Sequence, residues 1–363
     1  MFFGRELTGI DLPERTLCLT FDDGPGSTAG FGPGPRTVEL AQFLADRGIP
    51  ATFFVIGAFA EAQLRLVEQV SRMGHLIANH TFNHPALAGE SGTFAADEIR
   101  ETERVLAGIY QPIKLFRPPY GSWDSEVAGQ LNWTDAWRHI GPINWDIDAG
   151  DWWFWKNGLS AKECASAYID LIHSVGKGVV LMHDSSFEEE IRAQSFTFEA
   201  AQLLVNSLTA DGYTFTRLDS IPQIAEARQI SSIIALQAAS GHFISPQHGG
   251  NGLVLADGPS VGAWEPLGIM ELGGDNIALR CLSGHYISPQ NGGGGEVLAN
   301  GPAIGPWEKL TRVNLLGNGS IAIRCPSGHY LSAQNGGGGA LLANGPAVAE
   351  WEPFRVVVPS GHS

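Results

Sequence analysis

Thr16-Leu17-Cys18-Leu19-Thr20-Phe21-Asp22-Asp23-Gly24-Pro25 is a short apolar run, Thr16–Phe21, that ends in two adjacent carboxylates and a Gly-Pro turn. The run reads as a strand. Neighbouring acids on a strand point to opposite sides, but a turn at Gly24-Pro25 can aim both into one pocket. Two such acids permit a division of labour, one holding a cation while the other takes a proton. Read alone, the run also fits an ordinary strand-end turn.

Outward from it, short apolar runs alternate with amphipathic ones over residues 16–225. Strands are expected at Ala51–Ile56, Leu76–Asn79, Lys114–Arg117, Ile143–Asp146, Gly178–His183 and Tyr213–Leu218. Helices are expected at Thr37–Arg47, Glu61–Met73, Phe94–Ile109, Ala161–Val175 and Phe198–Ala210. Repeated strand–helix units argue for a parallel sheet covered by helices, closed or nearly so. In such barrels the chemistry gathers at the carboxyl ends of strands. Asp22, His80, Arg117, Asp148 and His183 all fall at or just after those ends.

Four further runs add to the pair of acids. In His80-Thr81-Phe82-Asn83-His84, two imidazoles four apart converge on one cation if the backbone curls by a turn. With Asp23 they make three protein ligands that leave a position open, the arrangement a hydrolytic metal needs. HxxxH by itself equally describes two surface histidines. In Arg117-Pro118-Pro119-Tyr120-Gly121 the paired prolines stiffen the backbone, so the next amide can serve as a fixed oxyanion donor. Arg117 is suited to grip a carboxylate bidentately. Asp148-Ala149-Gly150-Asp151-Trp152 belongs to a Trp145–Trp155 segment with four tryptophans, suited to stack on sugar faces if exposed or to pack a core if not. His183, in Val180-Leu181-Met182-His183-Asp184, ends a buried strand as a candidate general acid.

These five runs, in this order, resemble the polysaccharide deacetylase family, carbohydrate esterases with a distorted (β/α) barrel. The resemblance spans about residues 14–225. It implies that Asp22 is the catalytic base, that Asp23, His80 and His84 hold the metal, and that the Tyr120 amide is the oxyanion donor. It further implies that Arg117 orients Asp22, that Asp151 tunes the acid His183, and that Trp152 and Leu181, with Pro118 and Pro119, form the substrate-binding walls. The implied metal is zinc, with cobalt or nickel as substitutes. The implied enzyme is a hydrolase of linear amides that removes N-acetyl groups from N-acetylglucosamine-containing chains, chitin-like first, peptidoglycan second, acetylated xylan third. The Gly26–Pro35 loop is longer and richer in glycine than the family's usual loop.

After about Glu226 the texture changes. Three copies of one pattern begin at Ser240, Ser283 and Ser327, and each is followed by Trp-Glu at Trp264, Trp307 and Trp351. A unit this small cannot bury its own face, so three must close together. The repeat resembles a β-trefoil of the fascin-like branch. This implies a catalytic domain over 1–225 and an all-β trefoil over 226–363. The repeat tryptophans, Tyr286 and Tyr330 are expected in its core, and the repeat as a whole is expected to hold carbohydrate.

The formal net charge is −16. That field repels nucleic acid and anionic membranes and suits a neutral or cationic polymer. No stretch has the length of a membrane span. The four cysteines form no CxxC pair, and Cys281 and Cys325 read as small buried hydrophobes inside strands. The first residues lack the pattern of a signal peptide, so either a cytoplasmic protein or a secreted one with its leader removed is expected. The rival class is a non-catalytic carbohydrate- or filament-binding protein. Five intact motifs and the absence of a basic patch count against it.

Overall fold

The computed structural model describes residues 1–28, 32–315 and 319–359. Among the described residues, seven strands build the N-terminal part: β1 (Phe2–Leu7), β2 (Thr16–Gly24), β3 (Ala51–Val55), β4 (Leu76–Asn79), β5 (Gly141–Ile143), β6 (Gly178–His183) and β7 (Thr214–Phe215). β4, β3, β2 and β6 lie side by side in parallel, and β7 joins the start of β2. Their residues are buried almost throughout, the pattern of a sheet covered on both faces. The ring continues through single bridges, Asn79 with Phe116, Leu115 with Ile140, and Ile147 with Val180. The result is a distorted barrel.

Those single bridges correct two expectations. Lys114–Arg117 is not a strand, and Ile143–Asp146 is replaced by the shorter β5, which pairs with β1. The sequence reading missed β1. Tyr213–Leu218 contracts to β7 before a 3-10 turn at Leu218–Ser220. The expected helix Glu61–Met73 divides into Gly57–Ala62 and Leu64–Arg72 at Gln63 (φ −135°). The Gln63 side chain donates to the Pro25 carbonyl at 3.3 Å, tying this break to the loop after the paired acids.

Helix Ala161–Val175 runs as read. Ser160 accepts from the Glu163 amide while Glu163 reaches back to the Ser160 amide, and Gly176, at φ +89°, ends the helix. The expected Phe94–Ile109 helix covers Gly92–Val105 and passes into a 3-10 turn. Among the described residues, no helix is long and apolar enough to cross a membrane.

Twelve antiparallel strands follow: β8 (Ile230–Gln237), β9 (Phe243–Pro246), β10 (Val254–Gly258), β11 (Leu267–Gly273), β12 (Asn276–Arg280), β13 (Tyr286–Pro289), β14 (Val297–Gly301), β15 (Leu310–Asn314), β16 (Ser320–Arg324), β17 (Tyr330–Ala333), β18 (Gly339–Gly345) and β19 (Phe354–Val357). Six of them, β8, β11, β12, β15, β16 and β19, pair in a closed ring. The other six form three hairpins, one per sequence copy. Leu236, Leu279 and Ile323 fill the interior from equivalent positions. All four cysteines are buried and free, but Cys281 and Cys325 sit one residue beyond their strands.

The repeat tryptophans are not core. Trp307 and Trp351 are 41% and 39% exposed, and Trp264 packs partly buried beside Leu131 and Leu282. Tyr286 is fully buried, Tyr330 only half. The buried member of each Trp-Glu pair is the glutamate. Glu265 accepts from Ser245 Oγ at 2.6 Å and the Gly262 amide at 2.7 Å, and Glu308 repeats this with Ser288 and Gly305. Glu352 keeps the loop contact through the Ala349 amide. A buried carboxylate needs such partners, so the serine of one motif and the glutamate of the other recur together.

A shared seam joins the two parts. Phe3, Leu7 and Trp137 cluster with Ile230, Ile233, Met270 and Tyr286. Beside it, Glu226 accepts from Tyr286 Oη at 2.8 Å and pairs with the buried Arg280 at 3.1 Å.

Candidate active site

The paired acids reach one pocket through a backbone kink. Asp23 is left-handed (φ +69°), and the pairing of β2 with β3 slips between Asp22 and Gly24. The kink cancels the alternation of a regular strand, and both carboxylates line the same cleft of about 340 Å³. His80 follows β4 directly, and Thr81 and His84 are also left-handed, at φ +65° and +61°. This tight turn, rather than a helical one, brings both imidazoles to Asp23.

His80 Nδ1 faces the Arg117 carbonyl at 2.8 Å. A carbonyl only accepts, so Nδ1 carries the proton and Nε2 of the neutral ring keeps its lone pair. His84 Nδ1 meets Tyr120 Oη at 3.1 Å. Asp23 Oδ1 lies 3.1 Å from His84 Nε2 and 3.5 Å from His80 Nε2, out of line for a hydrogen bond to either, and is left buried without one. The Phe187 amide, at 3.2 Å, engages Oδ2. One ligating atom from each of Asp23, His80 and His84 lies within 4.8 Å of the others. An orphaned carboxylate oxygen facing two imidazole nitrogens fits a divalent cation, and the donor set suits several transition metals. Burial pushes the Asp23 pKa up. When their Nε2 atoms carry a proton, the facing His80 and His84 rings, helped by His183, outweigh it and hold the carboxyl well below the usual range.

Arg117 is wholly buried and donates from Nη1 to Asp22 Oδ1 at 2.6 Å and to Thr20 Oγ1 at 2.9 Å. Its Nε donates to the Ile143 carbonyl, so the grip on Asp22 is single rather than bidentate. His183, the last residue of β6, puts Nδ1 2.7 Å from Asp151 Oδ1 and its amide 2.7 Å from Oδ2. Burial alone would lower the His183 pKa. The Asp151 carboxylate, helped by Asp23 and Asp22, overturns that and raises it to about 10.

Leu181 and Trp152, which is 42% exposed, line the cleft beside these groups. Pro118 and Pro119 are buried and outside the lining, while the next residue, Tyr120, lines it. Trp145 lines it too, Trp153 is exposed, and Trp155 is core. The Gly26–Pro35 loop lies partly outside the described residues, and nothing is assigned to it. The sequence reading missed Phe187 and Glu188, two lining residues just after His183. The Phe187 ring stacks on His84 with centroids 5.3 Å apart. A lone aromatic amid Ser185, Ser186 and Glu188–Glu190, directly after the His183 motif, was the available signal.

A histidine paired with a carboxylate, on the same open cleft as a two-histidine, one-carboxylate cluster that could hold a metal ion, is the set of groups that metal-dependent hydrolases use. Known proteins narrow the class. The family model described as polysaccharide deacetylase matches residues 9–135. A chitooligosaccharide deacetylase of Rhizobium leguminosarum bv. phaseoli is 33% identical over 185 residues, 49% of this chain and 71% of that protein. Another, of Rhizobium leguminosarum bv. trifolii, is 29% identical over 220 residues, 58% of this chain and 92% of that protein. A peptidoglycan-N-acetylglucosamine deacetylase of Bacillus cereus is 28% identical over 215 residues, covering 59% and 70%. The solved structure of Bacillus subtilis PdaA, a family 4 carbohydrate esterase, is 24% identical with a TM-score of 0.47, covering 61% of this chain and 83% of that one. This chain belongs to the polysaccharide deacetylase family.

Proposed function

We propose that the protein hydrolyses N-acetyl groups from N-acetylglucosamine-containing chains, chitin-like oligosaccharides first. The observation that carries this reading is the convergence of Asp22, Asp23, His80, His84 and His183 on one open cleft. Asp23, His80 and His84 would hold the metal, which we assign as zinc. When bound, it supplies Lewis-acid polarisation of an acyl oxygen and of water. Asp22, held by Arg117, takes the proton of the attacking water. The Tyr120 amide donates to the developing oxyanion. His183, kept protonated by Asp151, delivers a proton to the nitrogen, so that a neutral amine leaves. Trp152 and Leu181 enclose the acetyl group.

We further read residues 1–225 as the catalytic domain and residues 226–363 as a fascin-like β-trefoil. The six-strand ring with three hairpins supports the trefoil reading. The trefoil's role would be to hold carbohydrate, with the exposed Trp307 and Trp351 as stacking surfaces. A Trp307→Ala/Trp351→Ala variant is expected to slow deacetylation of insoluble polymer and spare a short oligomer. Equal fractional losses on both substrates, or no loss on either, would discard that role.

The deciding experiment measures acetate release from chitooligosaccharides, peptidoglycan and acetylated xylan, with added zinc and with chelator. Chelator-sensitive release is expected, fastest from chitooligosaccharides. Faster release from peptidoglycan would reassign the substrate. No release from any of the three, beside co-sedimentation with filaments, would favour a binding protein.

A further inference from the structure

We propose that Glu98 is a positioning residue for the metal-binding histidine pair. It rests on the reading of Asp23, His80 and His84 as metal ligands. Glu98 lies on helix Gly92–Val105, capped by Ser91, and is buried. One of its oxygens, Oε2, accepts from two consecutive backbone amides, Phe82 at 2.9 Å and Asn83 at 2.7 Å. The other, Oε1, accepts from Asn83 Nδ2 at 2.9 Å. Phe82 and Asn83 are the centre of the loop between the two histidines.

That loop needs a brace. Thr81 and His84 both have left-handed backbone, a conformation that costs a β-branched or bulky residue free energy unless its surroundings over-determine it. Glu98 fixes the two peptides between them and so sets how far apart the imidazoles sit. Thr81 reinforces the turn, its Oγ1 accepting from the His84 amide at 3.1 Å, and Asn79 Oδ1 accepts from the Thr81 amide. Asn79 links the turn to the same helix indirectly, its Nδ2 donating to the Ile99 carbonyl at 2.9 Å, whereas Glu98 accepts directly from the loop's own peptides and makes no hydrogen bond to a ligating atom among the described residues.

The test is zinc affinity, read by competition with a chromophoric chelator. Glu98→Ala is expected to weaken zinc binding roughly 10–100-fold, the range for lost outer-shell partners. Glu98→Gln is expected to stay close to wild type. Its amide oxygen can take both backbone N–H groups, while its NH2 pairs with a flipped Asn83 amide. Leu204→Ala, a core change in helix Thr197–Ala210, which makes no hydrogen bond to the braced loop among those described, should lower the melting temperature and leave zinc affinity alone. Should Glu98→Ala fail to fold, Glu98→Met fills the site without an acceptor and carries the same expectation. Wild-type affinity in the Ala or Met variant overturns the proposal, as does a Gln variant as weak as Ala. A wild-type protein that binds no zinc removes the metal-site reading as well. Normal wild-type binding with an unaffected Ala variant removes only this one.

Discussion

Left-handed backbone at residues other than glycine occurs in both parts of the molecule, but it is used differently. In the barrel it falls on Asp23, His84 and Tyr120, which line the cleft, and on Thr81, in the turn between His80 and His84, with Arg15 the single other case among the described residues. In the repeats it falls on His248, Asn291 and Asn335, the same position of each copy, and on Asn251. Asparagine tolerates that conformation at little cost, whereas threonine and tyrosine do not. Strain that recurs with the repeat is turn-making. Strain that gathers once, with a threonine and a tyrosine among its bearers, marks the site where geometry matters more than stability.

The largest effect that could break this contrast lies at the cradle. His80→Ala or His84→Ala is expected to abolish stoichiometric zinc and to cut turnover by about three orders of magnitude or more, with the circular dichroism spectrum unchanged. Full zinc occupancy in either variant would mean that the strained loop serves something else. Next, Asp22→Asn should keep zinc yet lose roughly 10²–10⁴-fold in kcat, because a base is removed and a ligand is not. If Asp22→Asn loses metal as completely as Asp23→Asn, the two roles are exchanged.

A pH titration sharpens the part played by His183. His183 is raised from 6.5 to about 10 in the folded chain, against the pull of burial and chiefly by Asp151. A raised folded pKa gives stability that is complete below the unfolded value and is lost as pH climbs towards 10. Denaturant titrations of metal-free protein should show that decline, and Asp151→Asn should flatten it. An unchanged decline would detach His183 from Asp151.

Two smaller effects probe the repeats. A Cβ on Gly129, in the barrel helix Ser125–Asn132, would meet the Ala263 carbonyl oxygen at 2.3 Å. Gly129→Ala is therefore expected to cost about 1–3 kcal/mol in a melt, and wild-type stability would show that this contact gives way. Smallest of all, Asn335→Gly should change stability by less than about 1 kcal/mol, since glycine adopts the same conformation freely. A larger loss would place more than a turn at that asparagine.

How much was legible follows the same divide. β4, β6 and helix Ala161–Val175 were readable because burial on both faces, or a capping box with a closing glycine, writes itself into local sequence. β1 was not: Gly4-Arg5-Glu6 interrupts its apolar pattern, and its partner β5 lies more than a hundred residues away. The segments near Leu115 and Ile147 carry strand-like sequence but close the barrel by single bridges, which no local pattern reveals. The paired acids, the two histidines after β4 and His183 were visible as motifs. The stacking of Phe187 on His84 was not, being a contact between separate loops. The tryptophans misled because large repeated rings suggest a core, while the buried repeated group is the glutamate beside them.

The seam through Trp137, Ile230, Met270 and Tyr286 has a consequence for how the chain behaves as a whole. Neither part can detach without wetting apolar surface that belongs to both, so their melting is coupled, and a calorimetric scan should trace one cooperative peak instead of two. Transplanting the repeats onto another barrel would then mean carrying half of the seam along with them.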